Sequence, residues 1–246
     1  VDGPAGAPVV LLLHPIGGAG ALWEPQLATL TQRFRVVRAD HRGHGRSPVP
    51  PGRYDLADLG ADTLALIDKL GAERVHVAGV SLGGMVGMWL ARHAPDRVDR
   101  LALLCTSALL GPPQMWIDRA TIVLADGTGA VADTAIGRWF TESFRAREPE
   151  LTARIRAMIA ATPPAGYAGC CAAIETMDLR ADLPKIGAPT LIIGGTDDPS
   201  TPPEHQRLIA DGIPGSRFVQ LDDCAHIANV QQAGQVNDLL LAHFTA

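Results

Sequence analysis

The sequence predicts an α/β chain with a mostly parallel central sheet, flanked by helices and interrupted by a helical insertion. Three observations lead there. Short apolar runs at 9–13, 34–39, 75–79 and 101–105 are each followed by glycines or by helix-compatible sequence, the rhythm of parallel strands with crossover helices. From Gly111-Pro112-Pro113 to about Lys185 no convincing strand is present. After Gly187-Ala188-Pro189 the strand–helix alternation resumes. The expected organisation is therefore a first core segment at 1–110, a helical cap at 111–186 and a second core segment at 187–246.

Each element has a local reason. The run from Pro8 to Leu13 is far too short to span a bilayer and reads as a buried strand. Residues 56–70 keep Leu56, Leu59, Leu64, Ile67 and Leu70 on one helical face with acids between them, and Gly71 ends the helix. Residues 84–94 are more apolar, as a helix packed on central strands should be, and Pro95 stops it. Within the insertion, three or four helices are expected, near 114–125, 130–141, 150–161 and 167–177, with joints at Pro149 and Pro163-Pro164. A strand at 190–194, a helix at 203–211, a strand at 217–221 and a helix at 231–244 complete the chain. A helical block interrupting a parallel sheet suggests a lid over the carboxyl ends of the strands, where open α/β sheets place their ligands.

Composition narrows the function. With 47% hydrophobic residues and 246 positions, the chain can bury a large core. A net charge of −5 without any Lys/Arg cluster argues against nucleic acid and against an anionic membrane surface, and leaves any anionic ligand to local groups. Cys105, Cys170, Cys171 and Cys224 show no Cys-x-x-Cys spacing, which fits reduced thiols in a cytoplasmic compartment. His41 and His44 lie three apart beside Asp40, but no further ligands at metal-like spacing follow, so loop-fixing hydrogen bonds are expected and a metal is not. No Gly-x-Gly-x-x-Gly or phosphate-binding loop follows a strand, so no cofactor is expected.

The chemistry is concentrated in Gly79-Val80-Ser81-Leu82-Gly83, a Gly-x-Ser-x-Gly turn between a strand and a helix. Such a turn projects the serine hydroxyl out of the sheet, and the flanking glycines let neighbouring backbone close up. Ser81 is thus the candidate nucleophile. Asp197 and Asp198 follow the strand at 190–194, and His226 follows the strand at 217–221, giving the order Ser, Asp, His. The imidazole would take the serine proton near pH 7, and a carboxylate behind it would fix the tautomer. Asp198 is favoured over Asp197 from its spacing to the turn Pro199-Ser200-Thr201-Pro202. Following the first strand, His14-Pro15-Ile16-Gly17-Gly18 could meet a developing oxyanion with the N–H of Ile16, alongside that of Leu82; Pro15 has no N–H to offer.

The stretch Asp40-His41-Arg42-Gly43-His44-Gly45-Arg46-Ser47, the elbow with its trailing Gly83-Gly84-Met85, and Gly194-Gly195-Thr196-Asp197-Asp198-Pro199 resemble the hallmarks of α/β-hydrolases. Within that superfamily, Arg138-Trp139-Phe140-Thr141, Gly166-Tyr167-Ala168-Gly169-Cys170-Cys171, Asp178-Leu179-Arg180 and Ala225-His226 resemble the 3-oxoadipate enol-lactonases, and the likeness spans nearly the whole chain. That resemblance implies a cofactor-independent serine hydrolase opening a small carboxylated enol-lactone to 3-oxoadipate. It also implies that Trp139 lines the pocket and that Arg138 is the first candidate for the substrate carboxylate; solvated outside the lid is the other reading of Arg138. The segment His14 to Gly20, in place of the more usual Ser-Leu-Gly-Thr type, and Ile227-Ala228 after His226 depart from the pattern at the pocket mouth. The absence of an initiator Met and of the usual strand or hairpin ahead of Val1 points to a trimmed chain or part of a longer one. Two alternatives stand beside this reading: a carboxylesterase or lactonase for another small substrate, and a hydrolase-fold binding or signalling protein with little turnover.

Overall fold

A computed structural model describes residues 1–246. The first strand, β1 (Val9–Leu13), leads through a short 3-10 turn to α1 (Glu24–Leu30) and β2 (Arg35–Ala39). Then come α2 (Leu56–Lys69), β3 (Val75–Val80), α3 (Leu82–His93) and β4 (Val98–Leu104). The insertion holds α4 (Pro113–Asp126), α5 (Gly129–Trp139), α6 (Glu142–Arg147), α7 (Pro149–Ala160) and α8 (Pro164–Thr176). The chain ends with β5 (Thr190–Gly195), α9 (Pro203–Gly212), β6 (Arg217–Leu221), α10 (Ala228–Gln231) and α11 (Ala233–Thr245).

All six strands pair in parallel, in the order β2-β1-β3-β4-β5-β6. Because β2 lies on one side of β1 and β3 on the other, the strand order reverses between β1 and β3. A crevice opens at the carboxyl ends of such a pair. Alternation along β1 serves two layers: Val9, Leu11 and Leu13 belong to the apolar cluster shared with α2, α3 and the insertion, whereas Val10 and Leu12 face the cluster shared with α1 and α11. Burial on both faces explains the unbroken apolar runs.

Three elements differ from the sequence expectation. The insertion has five helices, because Thr141 accepts a hydrogen bond from the Phe144 N–H at 3.3 Å and starts the short α6 where none was expected. The terminal helix is broken at Gln232 (φ −119°, ψ 45°), which separates α10 from α11. Helix α1 went unseen because seven residues carry too little periodicity.

The insertion is fastened to the core by backbone approach. Gly166, in the first turn of α8, lies against Gly43 so closely that a Cβ on either would collide with the other's backbone, and Gly43 has φ +76°. One turn on, Gly169 meets the ring of Tyr54, and its carbonyl accepts from the Tyr54 N–H at 3.3 Å. The small residues of this helix are therefore a docking face. Gly137, by contrast, has open space around its Cβ position in the last turn of α5. Gly166→Ala should accordingly lower stability by about 1–3 kcal/mol through overpacking, while Gly137→Ala should leave it unchanged or raise it by about 0.5–1 kcal/mol. Urea denaturation of both variants checks the contrast, and equal effects would contradict the docking role of α8.

Candidate active site

Ser81 sits between β3 and α3 with φ 54° and ψ −116°, a sparsely populated conformation that costs about 1–3 kcal/mol and persists only when the surroundings hold it. They do hold it. The Ser81 N–H donates to the Leu104 carbonyl at 3.0 Å, and its carbonyl accepts from the Met85 N–H at 3.0 Å and the Thr106 hydroxyl at 2.6 Å. A Cβ on Gly79 would collide with the Gly83 carbonyl, and one on Gly83 with the Leu13 carbonyl. Both glycines of the motif are thus required by crossing backbone.

His226, on the loop after β6, and Asp198, after β5, are both 3% exposed and joined by a 2.9 Å bond between Nδ1 and Oδ2. The carboxylate also accepts from the backbone N–H groups of Ser200 (2.8 Å) and Thr201 (3.0 Å) and from the Thr201 hydroxyl (2.7 Å). Burial pushes this carboxyl up, but attraction to His226, its hydrogen bond and the Thr201 donors outweigh it, and the group titrates below its ordinary range. Asp197 is exposed and accepts from the Thr196 hydroxyl at 2.8 Å, so only Asp198 touches the imidazole. Behind the acid, the buried Gln206 amide of α9 donates to the Thr201 carbonyl (2.9 Å) and hydroxyl (3.2 Å) and to the Thr106 carbonyl (3.2 Å). The acid loop and the loop after β4 are thereby braced together.

Ile16 follows β1 across the crevice. Its N–H has no hydrogen-bond partner within the protein, and Leu82 opens α3, where first-turn N–H groups lack intrahelical acceptors. Three buried histidines fix the Ile16 loop. His14 Nε2 accepts from the His41 N–H (3.0 Å), which leaves its Nδ1 proton to the Pro15 carbonyl (2.7 Å). His44 Nε2 accepts from the Gly17 N–H (2.9 Å), and His41 Nε2 donates to the His14 carbonyl (3.1 Å). Burial drives His41 and His44 down to about 4 and His14 well below its ordinary value.

A cavity of about 40 Å³ joins these parts. Its wall includes Ile16, Ser81 and His226, with Ser200 beside the acid loop and Trp116, Arg119, Arg138 and Trp139 from the insertion. The expected Trp139 is buried there; Arg138 reaches the same cavity but is exposed overall. No hydrogen bond joins Ser81 to His226 in this closed form. Sequence reasoning missed Arg119, Trp116, Thr201 and Gln206. For the first two a signal existed, since they lie three apart on one face of a helix expected to roof the site.

Residues 8–233 match the family model of the alpha/beta hydrolase fold. The chain is 34% identical to 3-oxoadipate enol-lactonase 2 of Acinetobacter baylyi over 235 residues, 96% of this chain and 88% of that one. The crystal structure of the enol-lactonase from Burkholderia xenovorans LB400 superposes with a TM-score of 0.97 at 39% identity, covering 100% of this chain and 95% of that one. The chain belongs to the α/β-hydrolase superfamily and, within it, to the 3-oxoadipate enol-lactonase family. It is a cofactor-independent ester hydrolase. RutD of Azorhizobium caulinodans, provisionally named a carbamate hydrolase, is 33% identical over 247 residues, 96% of this chain and 91% of that one, so the enol-lactonase family shares its sequence neighbourhood with other hydrolases.

Because His14, His41 and His44 are neutral when folded, the unfolded chain binds more protons between pH 6.5 and about 4. Their contribution is fully present above pH 6.5 and is lost as pH falls toward 4, at up to ~1.4 kcal/mol per pH unit for each group. Unfolding free energies from urea titrations at pH 7.5, 6 and 5 should fall steadily. A flat profile over that range would mean that the histidines are not held neutral.

Proposed function

We propose that the chain opens a small carboxylated enol-lactone, 3-oxoadipate enol-lactone, with Ser81, His226 and Asp198 as the catalytic triad. One observation carries the reading: His226, bonded to the buried Asp198, lines a small cavity together with Ser81, and two arginines but no Asp or Glu are among the lining residues. His226 Nε2 takes the Ser81 proton as Oγ attacks the ring carbonyl, and Asp198 steadies the imidazolium. The oxyanion is met by the N–H groups of Ile16 and Leu82. Cleavage of the bond between the acyl carbon and the ring oxygen, with the proton returned from His226, opens the ring to an enol that stays tethered as an acyl-enzyme. An enol is a good leaving group. Water deprotonated by His226 then attacks the acyl carbon, Ser81 leaves with the proton, and the released enol becomes 3-oxoadipate as its hydroxyl proton is exchanged for one on the neighbouring carbon.

At about 40 Å³ the cavity holds roughly three water molecules, so substrate enters when the roof helices draw apart. Trp139 would pack on the ring, and an arginine of the cavity wall, Arg138 or Arg119, would offset the desolvation of the substrate carboxylate. The second reading, a hydrolase of another small ester, lactone or carbamate, is favoured by the similarity to RutD. A soluble small molecule is the proposed partner, handled in the cytoplasm.

Steady-state turnover on a panel of small lactones, esters and carbamates decides between the readings, with brisk hydrolysis of the carboxylated enol-lactone expected. No turnover of that lactone beside rapid ester hydrolysis would overturn the substrate. Ser81→Ala should lower kcat by about three orders of magnitude or more while the fold persists. Asp198→Asn should cost far more activity than Asp197→Asn, since only Asp198 meets the imidazole; equal losses would remove Asp198 from the triad.

A further inference from the structure

Two arginines reach the cavity, and they differ in surroundings. Arg138 is exposed, so its charge is screened by solvent and a carboxylate gains little from it. Arg119 is half-buried, and its guanidinium lies over the Trp116 ring, 5.1 Å from the centroid. That ring is itself fixed, since the Trp116 Nε1–H donates to the Leu110 carbonyl at 2.9 Å. Tyr167 is buried under the roof and near enough to feel the guanidinium charge: burial pushes its phenol up to about 12 while Arg119 pulls it down. The Tyr167 ring also rests on Gly17, next to Ile16. Arg119 is thus held over one aromatic ring without being neutralised, for it forms no salt bridge with a carboxylate. None of the ten residues that line the cavity is an Asp or Glu.

We propose that Arg119 seats the carboxylate of the substrate and is the residue that selects anionic over neutral lactones, with Arg138 acting only as a solvent-screened charge at the mouth. The assignment rests on the hydrolase reading of the cavity given above. Its physical content is pre-organisation: a guanidinium already stacked and partly desolvated loses little freedom on pairing with a carboxylate, and its planar fork matches both oxygens. A partly buried cation without a counter-ion is costly, and an anionic ligand relieves that cost. Trp116, which itself lines the cavity, also holds Arg119 in place.

The test compares the carboxylated enol-lactone with α-angelica lactone, the same ring bearing a methyl group where the substrate carries its carboxymethyl arm. Arg119→Gln should lower the ratio of kcat/KM values, carboxylated over neutral, by about 10- to 100-fold, and Arg119→Lys by less. Arg138→Gln should lower the ratio only a few-fold, an effect that vanishes in 0.5 M NaCl, whereas the Arg119→Gln effect persists. Arg217→Gln, on an exposed arginine of β6, controls for net charge. Inhibition by adipate should weaken in parallel in Arg119→Gln. An equal fall on both lactones, or a larger and salt-resistant effect from Arg138→Gln, would overturn the assignment. If unmodified protein opens neither lactone, the substrate reading fails by itself, and Arg119 is then decided by the same ratio for ethyl hydrogen succinate over ethyl butyrate.

Discussion

The site depends on one steric constraint, the crossing of three backbone segments at the carboxyl end of the sheet. Gly79 ends β3 against the Gly83 carbonyl, and Gly83 begins α3 against the Leu13 carbonyl at the end of β1. No side chain can stand at either crossing, so β1, β3 and α3 approach as closely as backbone permits. That closeness turns Ser81 into its strained conformation and brings Ile16, three residues past β1, to the same crevice as Leu82. The strain is held by hydrogen bonds to Leu104, Met85 and Thr106, which ties the nucleophile's backbone to β4 and to its own helix.

The same device recurs where the insertion meets the core. Gly43 against Gly166 brings α8 onto the Asp40–Ser47 loop, and that loop carries His41 and His44, whose neutral rings hold the Ile16 segment. Roof and oxyanion loop are consequently joined through a few atoms: Gly166 to Gly43, His44 to Gly17, Tyr167 onto Gly17. At the other end of the roof, Gln231 accepts from the N–H groups of Thr141 and Ala225 and donates to the Thr141 hydroxyl and the Asp223 carbonyl. The Trp139 carbonyl accepts from the Ile227 N–H at 3.1 Å. The end of α5 is therefore stitched to the His226 loop, and displacement of that helix is felt at the base.

What the sequence disclosed follows from how local each signal was. Strands buried on both faces read as apolar runs, and Ser81, Asp198 and His226 stand out as candidates because a short motif or a position after a strand marks them. The choice of Asp198 over Asp197 drew on the adjoining turn; in the structure the Ser200 and Thr201 N–H groups bind Asp198. Contacts made only in three dimensions left no such mark. Gln206 reaches Thr106, a hundred positions earlier, and nothing in either segment announces the pairing. Arg119 looked like any polar residue of an amphipathic helix, and Arg138 stood out only because its neighbours resemble a family pattern. At the departures from the family pattern, the His14 ring accepts from the His41 N–H, and Ile227 is fully buried with its backbone N–H on the Trp139 carbonyl.

These facts separate what sets the reaction from what sets its substrate. The proposed nucleophile, base, acid and oxyanion donors all hang from strand ends whose spacing is fixed by the sheet, so many hydrolases can share such an arrangement without sharing a substrate. The roof supplies the rest. Helices α4 and α5 bring every cation and both tryptophans of the cavity, and no acid, whereas the base brings Ser81, Ser200, Ile16 and His226. A neutral ester would find the same nucleophile beneath this roof but would leave the guanidinium on Trp116 unpaired as water is excluded. On the proposed reading, discrimination resides in the desolvation of one arginine, a cost that an anionic substrate offsets and a neutral one does not.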